Sequence, residues 1–158
     1  MNESYKLEYL DTETRILFSE NPQISVRYIL PSMNEVEKKS IKKYPFINKT
    51  NLKVRIENLN NNKIYQFEIP KGYCYDGASI PRFFWRVIGS QSDNQFLIAA
   101  LIHDVLCENH NFIENDRALS TKVFDLLLKN SEVMPIKRFF MKNSVDIFQK
   151  LFCHWKNK

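Results

Sequence analysis

An aspartate, a serine and a histidine–aspartate pair stand in two stretches of this chain whose residue types allow proton transfer. Asp76 and Ser79 lie in Gly72–Trp85, which reads GYCYDGASIPRFFW, and His103-Asp104 lies in the apolar run that follows. Asp76-Gly77-Ala78-Ser79 has too little side-chain volume for a core and too little helix former for a helix interior. It is expected to form a tight exposed turn between a strand and a helix, a place where sites are found more often than in ordinary loops. Asp104 falls near the end of an apolar helix, where the helix dipole disfavours an acid. A charge at such a buried position needs a partner. That partner is either an arginine in a structural ion pair (Arg82, Arg86 or Arg117), or a site in which Asp76, His103 and Asp104 act together.

Ser79 would serve as a nucleophile only with a base in reach and donors for an oxyanion. His103 is the base the pattern offers. DGASIP lacks the glycine–serine–glycine elbow of the α/β-hydrolases, and the other reading of Ser79 is a helix N-cap. Arg82 and Arg86, four residues apart, suit a phosphate or carboxylate, or are simply exposed. Tyr75, with Phe83, Phe84 and Trp85, lines a pocket or fills a core. Arg82, Tyr75 and Arg117 are the substrate-binding candidates.

His103, Cys107 and His110 fall at i, i+4 and i+7. If their helix continues that far they share a face. With Asp76 or Cys74 opposite, they would supply four ligands to a divalent metal such as zinc. Against this, Glu108-Asn109-His110-Asn111 reads as a helix end, and no paired CxxC or HExxH motif is present. The alternative places Cys107 in the core and His110 in a loop. The three cysteines are widely spaced and are not expected to form a disulfide framework.

The elements that must position these residues read as strands first and helices after. Leu52–Leu59 and Lys63–Ile69 alternate apolar and polar around Asn60-Asn61-Asn62, a β-hairpin signal. Ile24–Leu30 reads as a strand ended by Pro31, and Leu7, Tyr9 and Leu10 as a short edge element. Tyr73-Cys74-Tyr75 leads into the central turn. Residues 32–50 are charged and read as an insertion or lid. Helices are expected after Ser79, from about Ser92 to Cys107, from Asn115 or Asp116 to about Leu128, and from Pro135 onward. In the last, Ile136, Phe139, Phe140, Ile147, Phe148, Leu151 and Phe152 recur at helical spacing. The expected fold is therefore α+β: a small antiparallel sheet in the N-terminal half, packed by about four helices in the C-terminal half.

At 158 residues one domain is expected, 1–158, with a sizeable core. Hydrophobic residues make up 44% and aromatics 13%, which excludes a disordered or fibrous chain. No apolar run reaches membrane-spanning length. The N-terminus is polar and acidic, unlike a signal peptide, so a cytoplasmic protein is expected. The net charge of +5 is uneven: Pro135–Lys158 holds six bases against one acid, and the remainder is balanced. This basic amphipathic segment is either a solvated helix face or a surface for a protein partner or an anionic surface.

Gly72-x-x-Tyr75-Asp76-Gly77-Ala78-Ser79-Ile80-Pro81-Arg82-x-Phe84-Trp85, followed by Ala99-Ala100-x-x-His103-Asp104-x-Leu106, resembles the bacterial and phage domain-of-unknown-function family thirteen-fifty-three. The resemblance covers about residues 52–128. Asp76, Ser79, His103, Asp104 and Arg117 match the family pattern. Tyr75 stands where the family often has threonine, Cys107 where it often has tyrosine, and Thr121 where it often has an aspartate. The resemblance implies a phage or prophage setting and supplies no mechanism. Two functions are thus open. One is a hydrolase-like site at Asp76, His103 and Asp104, metal-assisted or metal-free, with Ser79 and Arg82 supporting substrate. The other is a non-catalytic phage-associated structural or interaction protein in which these residues form a buried network.

Overall fold

The computed structural model describes residues 5–76, 94–153 and 155. Two antiparallel sheets occupy the N-terminal half and helices dominate the C-terminal half, an α+β fold as expected. The first sheet has the order β1-β2-β5-β6, with β1 at Leu7–Leu10, β2 at Thr14–Phe18, β5 at Leu52–Asn58 and β6 at Lys63–Ile69. The β5–β6 hairpin pairs Val54 with Phe67 and Ile56 with Tyr65. Its alternation works as read: Leu52, Val54 and Ile56 are buried with Tyr65, Phe67 and Ile69, and polar residues face outward. Asn62 takes the left-handed conformation (φ 56°) that closes the turn.

The second sheet is narrow, ordered β3-β4-β7, with β3 at Ile24–Val26, β4 at Phe46–Asn48 and β7 at Cys74–Tyr75. Of the expected Ile24–Leu30 strand, Ile24–Val26 pair in ladder register with β4, and the Arg27 amide adds one bond to the Pro45 carbonyl at 2.7 Å. Residues 32–50 are more than an insertion. They hold α1, Glu35–Lys43, closed by an Asn34/Glu37 capping box, and then β4, the middle strand of this sheet. Phe46 packs into the core against Tyr75, ring centres 5.5 Å apart. Asn48 is wholly buried, and its side chain donates to the Thr50 and Pro70 carbonyls, fixing the turn that enters β7.

Three α-helices follow among the described residues: α2 at Asn94–Glu108, α3 at Arg117–Asn130 and α4 at Pro135–Phe152. Leu97 to Ile102, Val105 and Leu106 are all buried, so α2 is apolar around its circumference and runs through the core. Asp116 caps α3 by accepting from the Leu119 amide at 3.0 Å. Pro135 occupies the first turn of α4, as expected. The face of α4 that meets the domain is not the aromatic one. Met141, Val145 and Gln149 are buried, and Ile136, Phe139, Phe140, Ile147, Leu151 and Phe152 are exposed. Among the described residues no helix is long and apolar enough to cross a membrane. The helix expected directly after Ser79 lies outside the described residues.

Candidate functional site

The site is built where β7 meets the length of α2. Tyr75, buried at the end of β7, donates its phenol to the Leu97 carbonyl near the start of α2 at 2.9 Å. Tyr73, one residue before β7, donates to Glu108 Oε2 at the helix's other end at 2.6 Å. Two tyrosines from one short segment thus hold α2 at both ends. Between those anchors α2 presents His103 and Asp104, 1% and 5% exposed.

His103 is enclosed completely, and among the described residues neither of its ring nitrogens has a hydrogen-bond partner. Its Nδ1 lies 3.6 Å from Asp104 Oδ1, beyond hydrogen-bond length. Its ring meets Phe124 of α3 edge-on, centres 5.6 Å apart. Most buried polar groups are paired, so an imidazole with two unmet nitrogens is the least satisfied group in this region.

Carboxylates gather around Tyr73. Burial pushes its phenol far above the ordinary value, and the hydrogen bond to Glu108 and the charges of Glu108, Asp104 and Asp76 add to the effect. Burial likewise raises the Tyr75 phenol, with Asp104 contributing. Asp76 and Asp104, read from sequence as site acids, are therefore brought to one neighbourhood, together with Glu108. Glu108 was not expected, although it carries the same signal that marked Asp104: an acid at the unfavourable end of a helix.

Both phenols are kept neutral by the fold. Folding gains stability from them below their unfolded value near 10.0 and loses it as pH climbs from there toward the folded values. We expect the phenolate absorbance of these two tyrosines to appear only together with loss of the circular-dichroism signal at alkaline pH. Replacing either by phenylalanine should remove one hidden phenol from that step.

The remaining expected residues go elsewhere. Arg117 does not pair with Asp104. It binds Asp146 of α4, as does Thr121 Oγ1 at 3.3 Å, and Lys150 joins from the next turn at 3.0 Å. Gln149 donates to Thr121 at 3.3 Å. Arg117 thus docks α4 on α3. Asp146 also supplies a carboxylate beside Thr121, the position where the resemblance leads to an aspartate.

The expected metal ligands do not converge. Cys107 is disulfide-bonded to Cys153, Cα atoms 5.6 Å apart, so its sulfur is not a thiolate ligand; the sequence did not point to a disulfide framework, and this single bridge was not foreseen. The α-helix ends at Glu108, and His110 begins a 3-10 turn, His110–Ile113, off the face of His103. His110 Nδ1 is engaged by the Asn115 side chain and its ring packs on Trp155, centres 5.6 Å apart. Among the described residues no group of three His, Cys, Asp or Glu is placed to hold a metal. Cys74 is free. Ser79 and Arg82 lie outside the described residues. A surface groove of about 470 Å³, lined by Ser19, Leu52, Lys53, Glu68, Ile69 and Pro70, contains none of the candidates.

The matching stretch of a known family runs through this whole assembly. A family model described as "Protein of unknown function (DUF1353)" matches residues 52–145, from β5 through the middle of α4. The chain belongs to this family. The DUF1353 match takes in Asp76, His103, Asp104, Glu108 and Arg117, and excludes β1 to β4, so the second sheet joins β3 and β4 from outside the match to β7 from within it. Over 51 residues the chain is 39% identical to "Uncharacterized protein y4jT" of Sinorhizobium fredii (strain NBRC 101917 / NGR234). That stretch is 32% of this chain and 15% of the length of the relative. No solved structure matches the chain.

Proposed function

We propose that this DUF1353 protein carries a hydrolase-like polar site at Asp76, His103 and Asp104. The observation that carries the reading is the fully enclosed His103 imidazole, both of whose nitrogens lack a partner among the described residues. A structural histidine in a closed network gains stability by satisfying its nitrogens, and one left unmet costs free energy. A general base is instead held unmet until a substrate or attacking water arrives, and catalytic hydrogen bonds are often long before it does. In this reading Asp104, 3.6 Å from Nδ1, closes on the ring and orients it, leaving Nε2 to take the proton. Asp76 serves as the second carboxylate. Ser79 and Arg82 enter the proposal on sequence alone, as substrate-supporting groups.

A second reading is favoured by a different observation, the burial of His103 and Asp104 and the two tyrosine bonds that brace α2. It makes the same residues a structural network in a non-catalytic, phage-associated interaction protein. A phage or prophage setting and a cytoplasmic location are part of the proposal and rest on the sequence resemblance and composition.

His103→Leu separates the two, because leucine has similar bulk and no nitrogens to satisfy. If His103 is the base, the variant should unfold within about 1 kcal/mol of wild type, since removing an unpartnered polar group from a core costs little. Its hydrolysis of nitrophenyl esters and nitrophenyl phosphates should fall at least about a hundredfold. A large loss of stability with hydrolysis unchanged or absent in both proteins would overturn the site and leave the network. Metal content, measured on protein purified without chelator, decides the metal-assisted version: near-stoichiometric divalent metal present in wild type and gone in the variant supports it.

A further inference from the structure

The outward face of α4 carries an apolar stripe that the domain itself does not cover. Ile136, Phe139, Phe140, Ile147 and Leu151 are 56–69% exposed, and they lie opposite the buried Met141, Val145 and Gln149. The five side chains offer roughly 600 Å² of apolar surface, at the upper limit for a patch on a monomer. With the flanking Asn143, Ser144 and the Lys150 stem this approaches the ~800 Å² that a standard interface takes from each partner.

Four residues of the stripe are placed symmetrically along it. Reversing the helix about the Asn143–Ser144 bond exchanges Ile136 with Leu151 and Phe140 with Ile147, all four on the exposed face. A two-fold axis through that point would lay these four residues of one helix against the same four of an antiparallel copy, with two small polar side chains at the crossing. Isologous interfaces require this self-complementarity. Three of the four bases of α4 are also held by carboxylates. Arg138 and Lys142 bind Asp125 of α3 at 2.9 and 3.6 Å, and Lys150 binds Asp146 at 3.0 Å. A helix built to lie on an anionic lipid surface would leave its bases to the headgroups.

We infer that α4 is the interface of a homodimer, in which two copies pack antiparallel through Ile136, Phe140, Ile147 and Leu151. The test is sedimentation equilibrium of the full chain, with two single variants. Wild type is expected to be a dimer at micromolar concentration. Phe140→Glu and Ile147→Lys should each raise the dimer dissociation constant at least about a hundredfold, because each buries an unpaired charge. Each should leave the melting temperature of the monomer fold unchanged, since both side chains already face outward. Mixing the two variants should restore a heterodimer, because the antiparallel arrangement sets position 140 against position 147. A monomeric wild type, a dimer indifferent to both substitutions, or mixing that restores nothing would each overturn the interface. A wild-type monomer that cosediments with phosphatidylserine vesicles would overturn it in favour of a lipid surface.

Discussion

Cys153→Ala is expected to destabilise the protein by up to about 4 kcal/mol, the loop-entropy estimate for a bridge that closes 46 residues. The bond joins the last turn of α2 to the residue that ends α4, and so encloses the whole of α3 and α4 in one loop. Without it the unfolded chain regains that loop's freedom. Alanine is the appropriate replacement because Cys153 is buried, and serine would add an unmet hydroxyl. The wild-type protein treated with dithiothreitol should show the same fall in denaturant midpoint, and the variant should show no further change. A midpoint indifferent to reductant would refute the expectation. Because reducing compartments keep such thiols apart, the same shift is the difference in stability between an oxidising and a reducing setting.

Phe124→Ala is expected to cost about 3–5 kcal/mol. Phe124 is 1% exposed on α3 and supports the His103 ring from its edge. Truncation removes the ring's transfer free energy and leaves a hole bounded by two packed helices, which cannot close it without shifting. Urea unfolding should show a lower midpoint with an unchanged slope, since the surface exposed on unfolding is the same. A cost below about 1 kcal/mol would mean that α3 relaxes into the space, and that the imidazole is less firmly held than its enclosure implies.

Much of this molecule is legible in the residues because local chemistry and tertiary outcome agree. The hairpin could be read since Leu52–Ile56 and Tyr65–Ile69 alternate cleanly around three asparagines, and α3 and α4 announce themselves with Asp116 and Pro135. β2 was not legible: Ile16, Leu17 and Phe18 are all buried in succession, so the strand shows no alternation, and it sits within a mixed polar stretch. β4 was hidden behind the charged α1. Periodicity revealed α4 but not its orientation, since apolar residues occupy both of its sides and only packing selects Met141 and Val145. At the site, His103 and Asp104 stood out as polar residues in an apolar run. The Tyr73–Glu108 bond and the Cys107–Cys153 bridge did not, because their partners are 35 and 46 residues apart and nothing local links them.

The double attachment of α2 to the segment around β7 has a consequence for how the molecule comes apart. The second sheet, with strands of three, three and two residues, is too small to persist alone. A helix that is apolar on every side has no state in water to retreat to. Each exists only because the other does, and Tyr73 and Tyr75 tie them by two side-chain hydrogen bonds. The amides of β7 and α2 should then lose their deuterium protection in a single opening event, and no fragment that cuts between them would be a viable smaller protein.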